Sequence, residues 1–115
     1  MKMSVHCETH TVYVDGEPRV VCKKVKMPDG VHAIQWWGAR GEVEFVEDNK
    51  GRRPENEEFF DLKPYQYLVD AHAKAKKRDA DNLQKAKDAR EAARKAQEEA
   101  DRLQDEAVKI QSEGD

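Results

Sequence analysis

The spacing of apolar positions changes once along the chain. Up to about residue 63 they alternate with polar residues or form short runs between turns; beyond it they recur every three or four residues. His6 to Val14 carries Thr9, Thr11, Val12, Tyr13 and Val14, the β-branched and aromatic content of a strand. Asp15-Gly16 follows, and both residue types tolerate the positive φ of a two-residue hairpin turn. Arg19 to Met27 is the expected return strand, and Pro28-Asp29-Gly30 marks the next turn. Val31 to Trp37 reads as a third strand and Glu42 to Val46 as a fourth, joined through Gly38-Ala39-Arg40-Gly41. In the fourth, Val43 and Phe45 point to one side and Glu42 and Glu44 to the other. Successive hairpins favour an antiparallel meander. Residues 47–58 are polar, hold Gly51 and Pro54, and read as an exposed loop.

The second part predicts one long helix. Pro64 suits a first helical turn, and Asp61 just ahead of it places a carboxylate near the helix N-terminus. From there to about Ser112 nothing breaks a helix, and Ala, Glu, Lys, Gln and Arg dominate. Asp81–Lys85, Glu91–Lys95 and Glu98–Arg102 are acid-to-base pairs four apart, each adding a few tenths of a kcal/mol. At ~1.5 Å per residue such a helix extends roughly 70 Å, beyond what a domain built from the preceding residues could cover. The expected fold is therefore α+β: residues 1–63 form a small N-terminal β-meander head of about four strands, and residues 64–113 form one long C-terminal helix with the repeat of a coiled coil.

That repeat runs through Ala86, Ala89, Ala93, Ala96, Ala100, Leu103, Ala107 and Ile110, spaced alternately three and four apart. Continued backwards, the same register meets Tyr65, Leu68, His72, Ala75, Asp79 and Asn82, with Leu83 one place off it. Sustained spacing of this kind marks helices that supercoil around a partner. Alanine buries little area, so each contact stabilises weakly while allowing close approach. The expectation is self-association or docking on a partner helix, against a solvated single helix held by charge pairs.

Composition sharpens this division. All eight aromatic residues lie at or before Tyr67, and after Val69 the large aliphatics are Leu83, Leu103, Val108 and Ile110 alone. The first part can build a core and the second cannot build one by itself. Charge does not separate the parts: residues 1–63 carry 10 basic and 12 acidic groups, the rest 11 and 12. The net charge of −3 argues against a dedicated nucleic-acid binder. No 18-residue apolar run exists, so no membrane span is expected. Two cysteines behind a start lacking an apolar leader stretch suggest reduced thiols in a cytoplasm.

The chain holds few residues in patterns that carry chemistry. His6, Cys7, His10 and Cys22 are the nearest approach to a metal-ligand set, but on a strand His6 and His10 would stand about 13 Å apart, with Cys7 on the other face. The two serines lie near the ends, no activating histidine sits beside Cys22, and Gly38-x-x-Gly41 is too short for a phosphate loop. The expectation is a non-enzymatic protein with no metal and no cofactor. Basic groups cluster at Arg19, Lys23, Lys24 and Lys26, at Arg52-Arg53, and from Lys74 to Arg78; a small nucleic-acid-associated regulator is the alternative they support. Trp36 and Trp37 face opposite sides of their strand. One enters the core; the other faces a second surface, either covered by the helix start at Tyr65, Leu68 and Val69 or left as an aromatic patch. The expected partner-binding residues of the head are the exposed member of Trp36 and Trp37, with Phe59 and Phe60.

Val31-His32-Ala33-Ile34-Gln35-Trp36-Trp37-Gly38, Gly41-Glu42-Val43-Glu44-Phe45, Pro54-Glu55-Asn56 and Asp61-Leu62-x-Pro64-Tyr65-Gln66 follow one another in this chain. Together they resemble small proteins of tailed-phage and prophage tail modules, often described as tail-fibre assembly proteins or chaperones. The resemblance covers about residues 10–73. It departs at Pro54-Glu55-Asn56, where an extra residue separates Pro from Asn, and in the length and charge of the helix. It implies a protein of the bacterial host cytoplasm that assists assembly of a tail-fibre protein by protein–protein contact, to which the heptad repeat adds another copy of the chain as an expected partner. It implies no ligand residues.

Overall fold

The structure is a computed structural model that describes the backbone of residues 1–113 and the side chains of residues 1–108. It is α+β: an antiparallel sheet followed by one long helix. Six strands, β1 (Met3–His6), β2 (Thr11–Val14), β3 (Glu17–Val20), β4 (Val31–Trp36), β5 (Gly41–Phe45) and β6 (Glu57–Phe59), lie in the order β3-β2-β1-β4-β5-β6. The sheet is two three-stranded meanders joined where β1 pairs with β4. A short 3₁₀ turn, Lys63–Tyr65, leads into the helix α1 (Gln66–Glu113).

Two hairpins explain the extra strands. The expected first strand is interrupted by a turn over residues 7–10, where His10 takes the left-handed conformation at φ 51° without a glycine to announce it. β2 therefore begins only at Thr11, and β3, pairing Thr11 with Val20 and Val14 with Glu17, can run no further than its partner. The expected return strand to Met27 ends at Val20 for that reason, and residues 21–30 form a loop. The Asp15-Gly16 turn is as anticipated, with φ values of 49° and 83°. The expected 47–58 loop gives up Glu57 and Glu58 to the edge strand β6, whose charges suit an exposed edge.

One face of the sheet holds the core. Val5 pairs with Val12 and with Ile34, and Ile34 with Val43, so these side chains form one row across four strands. A bulge between Val31 and Ala33 shifts the alternation and brings Val31 to the same face as Ile34 and Trp36. Leu68, fully buried, closes this row from the helix side with Ala71 and Ala75. Burial of a side chain such as Leu68 or Ile34 contributes about 1.5–3 kcal/mol.

The helix entry is held by polar contacts. Asp61 Oδ1 accepts the Lys63 N–H at 2.9 Å, and Pro64 occupies the first turn. Further on, His72 Nε2 donates to the Glu17 carbonyl at 2.8 Å, Lys76 pairs with the Glu17 carboxylate at 3.2 Å, and Arg78 donates to the Val20 carbonyl at 2.9 Å. All three meet the edge strand β3. Packing divides the chain into two compact units, Met1–Arg78 and a second from Asp79 onward, so the first turns of α1 belong to the head.

Candidate functional site

The aromatic residues separate into two sets. Trp36 is buried and stacks on Phe59 with ring centroids 5.4 Å apart, and Phe59 meets the edge of Tyr65 at 5.0 Å. Gly41 lies opposite Phe59, and its missing side chain is what admits the ring: a Cβ there would strike Phe59 and the Gln35 carbonyl. Trp36 is therefore the member of the pair that enters the core, and Phe59, expected at the partner-facing surface, is instead partly buried against it. Trp37 and Phe60, 44% and 68% exposed, are the members that reach solvent. The Arg40 guanidinium sits 5.3 Å from the Trp37 ring centroid. The helix start covers the face that Trp36 enters. Trp37 belongs to the opposite face, where a shallow depression of about 240 Å³ is lined by Ser4, His6, Tyr13 and Gln35 as well.

On the helix, the heptad stripe changes environment along its length. Leu68, His72 and Ala75 are buried, and Tyr65 is half-buried against the core. Beyond Asp79 the stripe is open to solvent at Ala86, Ala89, Ala93, Ala96, Ala100, Leu103 and Ala107. The side chain of Ile110 lies outside the described residues. Exposed i,i+4 pairs such as Arg94–Glu98 at 2.9 Å and Glu91–Lys95 at 3.4 Å flank the stripe. They support helicity by tenths of a kcal/mol each.

The basic clusters are rearranged. Lys24 and Lys26, on the 21–30 loop, come together with Lys74 and Arg78 of the helix around a groove of about 590 Å³. Its floor is apolar, from Val25, Ala71 and Ala75, and Asp70 is its acidic member. Tyr67 fixes the loop to the helix by donating its hydroxyl to the Lys26 carbonyl at 2.7 Å. Burial raises the Tyr67 pKa above its ordinary value, with smaller contributions from Cys7 and Tyr65. The signal for this groove was present as two separate pieces: Lys24 and Lys26 flank Val25, and Lys74 and Arg78 are four apart on one helix face. Only the folded loop joins them. Arg19 stands apart, paired with Glu17 at 2.9 Å, and Arg52 and Arg53 lie exposed in the loop before β6.

The thiols and imidazoles do not converge. Cys7 is buried, which pushes its pKa up, while Cys22 is exposed at the groove. His6 packs edge-on against Tyr13 at 5.5 Å, and His10 Nε2 donates to the Val25 carbonyl at 3.2 Å. Among the described residues no three His, Cys, Asp or Glu side chains gather as a metal site, and no helix is long and apolar enough to cross a membrane. In comparison with known proteins, the chain matches no family model, no curated protein and no solved structure.

Proposed function

We propose that the chain is a non-enzymatic assembly factor acting through protein–protein contacts, of the kind that serves phage and prophage tail fibres in the host cytoplasm. The observation that carries this reading is the heptad stripe of α1. Its first part is buried against the head, and the same register continues past Asp79 with Ala86 to Ala107 open to solvent. A helix stripe of this period is satisfied by another helix. The mechanism is the alignment of apolar seams, with no bond made or broken. Trp37 and Phe60 provide a second, aromatic contact on the head.

Sedimentation at tens of micromolar tests the reading directly. A mass above the monomer is expected, and Leu103→Asp lowers it by placing a charge in the seam. Co-expression with a tail-fibre protein from the same genome should raise the yield of soluble fibre. A strictly monomeric protein that leaves the fibre yield unchanged refutes the proposal.

The groove lysines give the nucleic-acid alternative one specific observation, since Lys24, Lys74 and Arg78 now share a surface. Binding of an oligonucleotide at low salt, weakening steeply as salt rises, is its signature. No binding at low salt removes it.

A further inference from the structure

We infer that the groove between the 21–30 loop and the start of α1 receives the acidic segment 98–108 of a second copy of this chain. The inference rests on the self-association proposed above and assigns its orientation. The groove presents Lys24, Lys26, Lys74 and Arg78 against the single carboxylate of Asp70, over an apolar floor that includes Ala71 and Ala75. The ammonium groups of Lys24, Lys26 and Lys74 have no ion-pair partner among the described residues. Its volume, about 590 Å³, accommodates several side chains at once.

The segment that complements it is on the same chain. Glu98, Glu99, Asp101, Asp105 and Glu106 face one base, Arg102, and the segment exposes Leu103 at 53% and Val108 at 56%. It therefore offers what the groove lacks: on one helix face, Leu103 for the floor with Glu99 and Glu106 beside it for the lysines. The pairs Glu98 makes with Arg94, and Glu99 with Arg102, are solvent-exposed and weak enough to exchange. Each copy supplies one groove and one acidic segment, so two copies satisfy each other and the assembly closes with two-fold symmetry. Such closure requires the two helices to run antiparallel. A parallel pair would instead set each acidic segment against its own copy, which like-charge repulsion opposes.

A charge exchange on the full-length protein tests this. One variant carries Lys24→Glu, Lys26→Glu and Lys74→Glu; another carries Glu99→Lys and Glu106→Lys, the two carboxylates on the Leu103 face. Each alone should weaken the dimer by about tenfold or more in sedimentation, with unchanged circular dichroism. An equimolar mixture of the two should restore it, because each reversed groove then meets a reversed segment. In parallel, Leu103→Cys should join Cys22 of the other chain through a short bis-maleimide, and Cys22→Ser should abolish that product; Cys7 is buried. A dimer that survives both reversals, or a 103–103 product formed in the Cys22→Ser background, overturns the groove assignment and leaves self-association standing. A monomer at every concentration removes both.

Discussion

Leu68 and Leu103 are the same residue on the same helix in opposite environments, 0% and 53% exposed. Truncating each to alanine separates burial from helix propensity, since the two changes alter the helix by the same small amount. Leu68 fills the space between the sheet row of Val5, Val12 and Ile34 and the helix. Its removal leaves a cavity that the β-branched neighbours cannot close, and such truncations cost roughly 2–5 kcal/mol. At ~0.05–0.15 kcal/mol per residue the 78-residue head unit has about 4–12 kcal/mol in total, so Leu68→Ala forfeits a large share. The corresponding fall in Tm is about 8 °C or more. Leu103→Ala, measured at concentrations too low for the proposed self-association, should change head stability by less than about 0.5 kcal/mol. Urea unfolding followed by tryptophan fluorescence is the suitable assay, because both tryptophans lie in the head while α1 dominates the far-ultraviolet circular dichroism. Equal losses in the two variants, or a loss below about 1 kcal/mol for Leu68→Ala, would refute the assignment of Leu68 as the helix-to-sheet contact.

Other consequences are open to simpler measurements. Gly41→Val should destabilise by about 1–3 kcal/mol in the same urea assay, since its side chain displaces Phe59 from the Trp36–Tyr65 stack; unchanged stability would mean that the ring has room to move. Iodide should quench Trp37 and leave Trp36 protected, read by comparing Trp37→Phe with Trp36→Phe; equal quenching would contradict the burial of Trp36. The hydrogen bond from Lys76 holds the Glu17 carboxyl below its ordinary value of 4.5, with nearby positive charge adding to the effect. A lowered carboxylate pKa gives stabilisation that is present above the ordinary value and lost as pH falls through it and below. Lys76→Met should return the Glu17 titration, followed by carboxyl NMR shifts, towards 4.5; no movement would show that the pair does not form in solution.

Much of the fold was legible because its signals were local. Asp15-Gly16 dictated its turn, the alternation of Val43 and Phe45 dictated the face of β5, and the absence of breakers after Pro64 dictated α1. The turn at residues 7–10 was hidden because His10 takes a backbone conformation that glycine or asparagine usually signals. That one omission displaced the start of β2 and the end of β3. β6 was hidden for a different reason: an edge strand of Glu57 and Glu58 has almost no apolar pattern to read. The aromatic pair could be placed on opposite faces from the alternation alone. Which face the helix would cover depended on Leu68 packing on the Ile34 side of the sheet, a non-local fact. The basic groove depended on a loop folding back on the helix, and neither half announced the other.

The contacts of α1 with β3 bear on what this sheet can be drawn into. His72 and Arg78 occupy the carbonyls of Glu17 and Val20 on one outer strand, and the opposite outer strand is three residues long with two glutamates. Neither border offers a long, flat, apolar template to an incoming extended chain. In the proposed role among unfinished fibre subunits, such chains would surround the protein. With two carbonyls of β3 taken by the helix and the other border charged, this sheet would touch them without being recruited into their aggregates.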